Sequence, residues 1–327
     1  MRSAWTDGRG GRLAVAAILL LQALPLLIFF ADPALAGEAF VTDQPGEQVV
    51  VVDTSSMAKL ATIPVDGEPA GIAVSVDGTR AYVTSPEGKM LTVIDASAHK
   101  VLRRIKLDGG PLGVAVHPSG HPVYVADWYS KRLLAVDPDG EAPLRIADVG
   151  TSPSGVTVTP DGAFLLTADR DDDVVSMVDT ATLTRVAVIP VGTRPFGVTI
   201  DAGGRLAYTA NVGSNNVSII DLAARKVVGT VKVGLRPYAV ALARGKAFVT
   251  NQYGSSVSVF DTTTRQVLKT IDVGDYPEGI APSADGSHVF VACWFAGTLE
   301  MIDTETLAVA KTVKVGDGPR AFGQFMR

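Results

Sequence analysis

Two sets of residues march through the chain in step. Asp53, Asp95, Asp137, Asp179, Asp221, Asp261 and Asp303 lie 42 residues apart except for one interval of 40. Pro69, Pro111, Pro153, Pro195, Pro237, Pro277 and Pro319 keep the same intervals and shorten at the same place, in the tight hairpin Ala243-Arg244-Gly245. Independent markers that shift together define true repeats, and a period of this size limits the chain to a stack or a ring of like units.

The unit is clearest from Pro195 to Gly234. Its runs Phe196–Ile200, Leu206–Ala210, Asn216–Asp221 and Val227–Val233 are rich in Val, Ile, Thr and Tyr and are cut by Gly, Asn and Asp turns. This predicts an antiparallel meander of four strands. No window of helical length sustains a 3.6-residue period. Four strands in about 40 residues make one propeller blade. The first copy, Phe40-Val-Thr-Asp, Val49–Asp53 and Leu60–Val65, lacks strand one. The last copy, Pro319-Arg-Ala-Phe-Gly-Gln-Phe, has strand one alone. Together they complete a seventh blade, and ring closure removes the open sheet edges that template aggregation. The expected fold is all-β, a seven-bladed β-propeller of four-stranded antiparallel blades closed by the C-terminal strand joining the N-terminal blade.

Ahead of the repeats, Arg2, Arg9 and Arg12 precede the apolar run Leu13–Ala31 and then Ala34-Leu35-Ala36. A positive start, an apolar centre and an Ala-x-Ala site read as a signal peptide over 1–36, with one propeller domain over 37–327. The alternative, an uncleaved anchor, is disfavoured by Pro25 and by the Ala-x-Ala site. The expected location is periplasmic or secreted, with no membrane span once the signal is cleaved. The remaining chain carries 26 basic against 32 acidic residues, net −6, so nucleic acid is a poor electrostatic match. The lone Cys293 allows no internal disulfide and reads as a buried, inert thiol.

Several repeated residues read as scaffold. Each unit opens on Pro-x-Gly or Pro-x-Ala, which suits inner strands crowded around one axis. The seven repeated aspartates are expected to bond the backbone of the turns that follow them.

At strand two the copies read Tyr82-Val-Thr-Ser, Tyr124-Val-Ala-Asp, Leu166-Thr-Ala-Asp, Tyr208-Thr-Ala-Asn, Phe248-Val-Thr-Asn and Phe290-Val-Ala-Cys. With Val-Ser-Ile-Ile-Asp221 and Val-Lys-Val-Gly234 downstream, the chain resembles the YVTN-repeat (YncE-like) β-propeller family over its whole length beyond residue 36. The resemblance implies a seven-bladed, usually exported propeller. Its members and relatives serve as binding scaffolds, redox-associated accessories and, in neighbouring families, lactonases. The motif residues are scaffold, so the resemblance carries over no catalytic residue.

In a meander the connections after strands two and four leave the ring on the same face. There the copies depart most from their consensus. Loops after strand two carry Trp128, Tyr129, Arg170, Gln252, Tyr253 and Trp294; connections into strand one carry Arg194, Arg236 and Tyr276; just past the Pro come Phe196, Tyr238, Glu278 and Arg320. Aromatic and Arg side chains around a central opening are what ligand and protein sites use. His99, His117, His121 and His288 fall off this face, and neither a haem attachment nor a Gly-x-Ser-x-Gly or Walker pattern is present. Asp169–Asp173 reads as a solvated acidic loop rather than a Ca²⁺ site. No cofactor, metal or catalytic residue is assigned. The sequence therefore points to an exported binding or interaction module, more a binder than an enzyme, whose partner is a periplasmic protein or a small anionic ligand. Two alternatives stand beside it: a lactonase-like or other small-ester hydrolase using Asp171–Asp173 or Glu278 with a divalent ion, and an accessory to a periplasmic redox system.

Overall fold

The structure, a computed structural model, describes residues 37–327; the signal segment expected over 1–36 lies outside them. Among the described residues, no helix is long and apolar enough to cross a membrane. The unit that starts at Pro195 forms strands Pro195–Ile200, Leu206–Asn211, Asn216–Asp221 and Lys226–Lys232, close to the runs read from sequence. Five of the other six units repeat this order, each strand hydrogen-bonded antiparallel to the next, and the sixth is assembled from the two ends of the described chain. Strand two is buried along its length, as in Leu206–Asn211, while the outer strand, as in Lys100–Lys106, is largely exposed. The first residue of the Tyr-Val-Thr-Asn-like motif supplies one large side chain per blade: Phe40, Tyr82, Tyr124, Leu166, Tyr208, Phe248 and Phe290 are all at most 2 % exposed. Tyr82, for example, shares a core with Val114, Val125 and Leu134 of the next blade. Burying such a side chain contributes roughly 1.5–3 kcal/mol, so the ring is held mainly between blades.

The turns follow the sequence. Asp53, Asp95, Asp137, Asp179, Asp221, Asp261 and Asp303 each accept bonds from backbone N–H groups two to five residues on, as in Thr264 N to Asp261 Oδ1 at 2.7 Å. Those bonds hold the carboxyls of Asp137, Asp179, Asp261 and Asp303 below the ordinary range. In the shortened copy, Ala243 pairs with Lys246 across Arg244 and Gly245, at φ 45° and 74°. Two central residues with positive φ make the hairpin turn whose twist matches the strands.

The inner strands crowd as the small residues require. A Cβ on Gly113 would lie 1.9 Å from the Ser154 carbonyl oxygen of the next blade, and one on Gly279 would lie 2.2 Å from that of Ala321. The second contact is with the C-terminal tail, which occupies the seventh inner position. The tail bonds the strand β1 (Glu38–Asp43) at both ends: Arg320 N to Thr42 O at 2.8 Å, and Phe40 N to Phe325 O at 2.8 Å. With β2 (Gln48–Asp53) and β3 (Lys59–Pro64) it completes the last blade.

The latch differs from a plain strand. Between the bridges Asp43–Pro319 and Ala39–Met326, seven steps of tail lie opposite four of β1. In an ordinary blade the mismatch is a single residue, as between Pro153 and Val156. The surplus swings Phe322–Gln324 off β1 to pair in parallel with β4 (Gly71–Val74), the inner strand of the following blade. Ala321 at φ 45° and Gly323 at φ 132° make the swing. The tail thus clasps the blades on both of its flanks.

Candidate functional site

One backbone bond recurs around the ring and builds the richer face. The first residue after strand two donates its N–H to the carbonyl of the residue before the repeated Pro: Trp128 to Gly110, Arg170 to Ser152, Val212 to Arg194, Gln252 to Arg236, Trp294 to Tyr276 and Gln44 to Gly318, at 2.9–3.2 Å. The seventh copy has Pro86 at the donor position, which has no N–H to give. This bond brings the two sets of connections together on one face, as the meander requires. The residue ending strand two braces the same connection from below: Gly110 N, Gly150 N and Gly318 N donate to the buried carboxylates of Asp127, Asp169 and Asp43, each at 2.9 Å. Cys293 occupies that position in its blade, fully buried, and burial pushes its thiol up.

Two rings of equivalent positions surround a cavity of about 640 Å³. The upper ring is Gln44, Pro86, Trp128, Arg170, Val212, Gln252 and Trp294, all lining it. The lower ring, just past the Pro, is Ala70, Leu112, Ser154, Phe196, Tyr238, Glu278 and Arg320, of which all but Ala70 and Ser154 line it. Seven blades put different side chains into equivalent places, so the cavity is chemically lopsided although its frame is regular. Its volume is in the range of small-molecule sites.

One part of the floor is aromatic. Phe196 lies 4.2 Å from Tyr238 and 5.9 Å from Trp128, ring centre to ring centre. Phe322 of the tail touches Phe196 and Tyr238 at 5.0 and 5.5 Å and lines a second, apolar cavity of about 380 Å³ at the other end of the shaft. These three rings pack on one another, two of them lining the first cavity and Phe322 the second.

The adjoining part is polar. Arg320 donates from Nη2 to Tyr238 Oη at 2.8 Å and from Nη1 to Gln44 Oε1 at 3.1 Å. Its Nε lies 2.9 Å from Glu278 Oε2, but the N–H misses the oxygen, so charge rather than an aligned hydrogen bond holds this contact. Gln252 Nε2 donates to Glu278 Oε1 at 2.7 Å. Glu278 is only 3 % exposed. Burial pushes its carboxyl above the ordinary range, against the pull of Arg320, Gln252 and Tyr238. Burial likewise pushes the Tyr238 phenol up, so it stays a neutral hydroxyl. Desolvation opposes the Arg320 charge, but Glu278 and Tyr238 more than offset it and Arg320 remains a cation.

The rim carries a run of stacked rings. The Arg236 guanidinium sits 4.3 Å above Tyr253, which packs on Tyr276 at 5.4 Å; Tyr276 meets Phe295 at 4.6 Å, and Phe295 meets Trp294 at 4.7 Å. Burial and the neighbouring Tyr253 push the Tyr276 phenol up to about 12. Arg194, Arg236 and Tyr276, each just before its Pro, hold left-handed backbone at φ 55°, 52° and 63°. Non-glycine residues held there store strain.

Of the residues singled out from sequence, Trp128, Tyr129, Arg170, Phe196, Arg236, Tyr238, Tyr276, Trp294 and Arg320 all line this cavity. Arg194 is exposed outside it, and Tyr253 lies beneath Arg236 without reaching the wall. The acidic loop is tied to its neighbours: Asp171, Asp172 and Asp173 accept bonds from Ser152 Oγ, Thr151 N and Arg194 N at 2.6–2.7 Å. Among the described residues, no group of three potential metal ligands occurs. Sequence reasoning passed over Gln44, Glu68, Glu87, Leu112 and Val212, which also line the cavity. Gln44, Leu112 and Val212 could have been found by carrying the repeat register through copies whose residues are unremarkable alone.

A closed ring of seven blades with a walled cavity on one face defines the chain as a seven-bladed β-propeller. Residues 36–122 match the YncE-like β-propeller family, and residues 141–232 match the seven-bladed β-propeller lactonases. No curated protein matches the sequence. Among solved structures the chain is similar to hydrazine synthase of Kuenenia stuttgartiensis (21 % identity, TM-score 0.69, covering 78 % of this chain and 89 % of that one). It is also similar to a functionally unknown protein from Desulfotomaculum acetoxidans (15 %, TM-score 0.74, 89 % and 98 %) and to the dihydro-heme d1 dehydrogenase NirN (18 %, TM-score 0.67, 91 % and 77 %). At these identities the likeness is one of fold.

Proposed function

We propose that the chain is an exported, periplasmic binding module whose ligand occupies the cavity on the Trp128–Arg236–Trp294 face. The observation that carries this reading is convergence: side chains from all seven blades, aromatic and Arg among them, line one concave space. Export is supported by the Arg-flanked apolar segment Leu13–Ala31 and Ala34-Leu35-Ala36. Protein recovered from a periplasmic fraction should begin at Gly37; an intact N-terminus retained in the cytoplasm contradicts export.

The binding reading is tested by a thermal-shift screen of residues 37–327 against metabolites, sugars, anions and lactones. A ligand that raises the melting temperature should lose at least about tenfold in affinity in Trp128→Ala, since an aromatic contact in a cavity contributes about 0.5–1.5 kcal/mol beyond its buried area. Hits unchanged in Trp128→Ala and Phe196→Ala would place binding elsewhere. A second reading, small-ester hydrolysis, is favoured by the lactonase match over 141–232. The same lactones followed for ring opening decide it, with turnover expected to vanish in Glu278→Gln.

A further inference from the structure

We infer that the ligand of this cavity is a flat aromatic monocarboxylate, its carboxylate received by Arg236 and its ring resting on the Trp128–Phe196–Tyr238 floor. This rests on the binding reading above and narrows it to a chemical class.

Three arginines line the cavity, and two are already engaged. Arg170 donates to Asp171 at 2.8 Å and lies over Trp128 at 5.3 Å. Arg320 is shared among Glu278, Tyr238 and Gln44. The Arg236 side chain donates to no acceptor among the described residues, and its Nε is buried without a partner. A half-buried guanidinium with unused donors calls for an anion that completes it. Arg236 is also set in place before any ligand arrives. Its N–H donates to Asn215 Oδ1 at 2.8 Å, its backbone is fixed at φ 52°, and its planar head is stacked on Tyr253. A planar fork held still fits a carboxylate by two parallel hydrogen bonds.

The opposite wall limits the charge. Glu68 and Glu87 line the same cavity in the blade three places on from Arg236 through the closure, near the far side of a seven-membered ring. Neither is paired with a cation among the described residues. Two unpaired carboxylates facing one free cation repel a second anionic group, so polyanions and dicarboxylates are selected against. Between these walls lies the aromatic floor, whose rings, inclined 53° and 35° to one another, offer apolar faces and edges on which a ligand ring can pack.

Isothermal titration with three probes of one shape tests the inference: naphthalene-2-carboxylate, naphthalene-2-carboxamide and naphthalene-2,6-dicarboxylate. The monocarboxylate should bind more than tenfold tighter than the carboxamide. Arg236→Gln should erase that difference while lowering the urea midpoint only slightly, through the lost stacking on Tyr253, because the side chain makes no hydrogen bond within the protein; Arg236→Lys should recover only part of it. Glu68→Gln combined with Glu87→Gln should selectively improve the dicarboxylate. Equal binding of acid and amide overturns the inference while leaving the cavity a binding site. Failure of all three probes to bind the wild type overturns it as well, and the metabolite screen then judges the cavity on its own.

Discussion

Exchange of Arg320 for methionine is expected to lower the unfolding free energy by roughly 3–5 kcal/mol, the cost of leaving a buried carboxylate without its partner. Glu278 is almost wholly enclosed, and Gln252 and Tyr238 alone cannot neutralise it. The double variant Arg320→Met/Glu278→Leu should recover most of the loss, since a buried ion pair replaced by apolar groups of similar size is often neutral. The single variant should also be pH-sensitive. Burial already raises the Glu278 carboxyl above its unfolded value, and removing the cation raises it further. A raised folded value means that stability is fully present below the unfolded value and is lost as pH rises through the folded one. The deficit of Arg320→Met relative to wild type should therefore widen from pH 5 to pH 8. Urea titrations across that range read it directly; a pH-independent loss below about 1 kcal/mol would mean that the pair is solvated and weak.

Removal of Phe322–Arg327 should have the largest effect of all. Phe322 and Phe325 are 4 % and 0 % exposed, and truncating a buried Phe costs roughly 3–5 kcal/mol each. Together they approach the whole stability of an ordinary domain, about 5–15 kcal/mol. The truncation also uncovers β1, whose backbone groups would seek another strand. The shortened chain should be unfolded or self-associated by circular dichroism and size-exclusion chromatography, and Phe325→Ala alone should shift the urea midpoint by an amount worth 3–5 kcal/mol. A truncated monomer with the wild-type midpoint would show that the ring does not need its latch.

The seven-fold count, the strand order and the shared face were legible because they depend only on period and alternation. The twisting of Phe322–Gln324 onto β4 was not, because it follows from three surplus tail residues with no counterpart in another copy. Arg194 and Arg236 show the same limit within the site. They hold the same repeat position and the same residue type, yet only Arg236 faces the cavity. The difference lies one loop away: Tyr253 follows Gln252 and offers a ring to stack on, whereas Gly213 follows Val212 and offers none. Likewise Phe196, Tyr238, Glu278 and Arg320 stood out one by one, but the engagement of Arg320 by its neighbours emerges only when the last residues are set beside the sixth blade.

The strand that fastens the ring also supplies a wall of the cavity, through Arg320. Occupancy and mechanical integrity therefore share one segment. A molecule seated across the opening would act as a rivet between the final segment and the remaining blades, and pulling on the two ends of the propeller chain would meet more resistance with the seat filled.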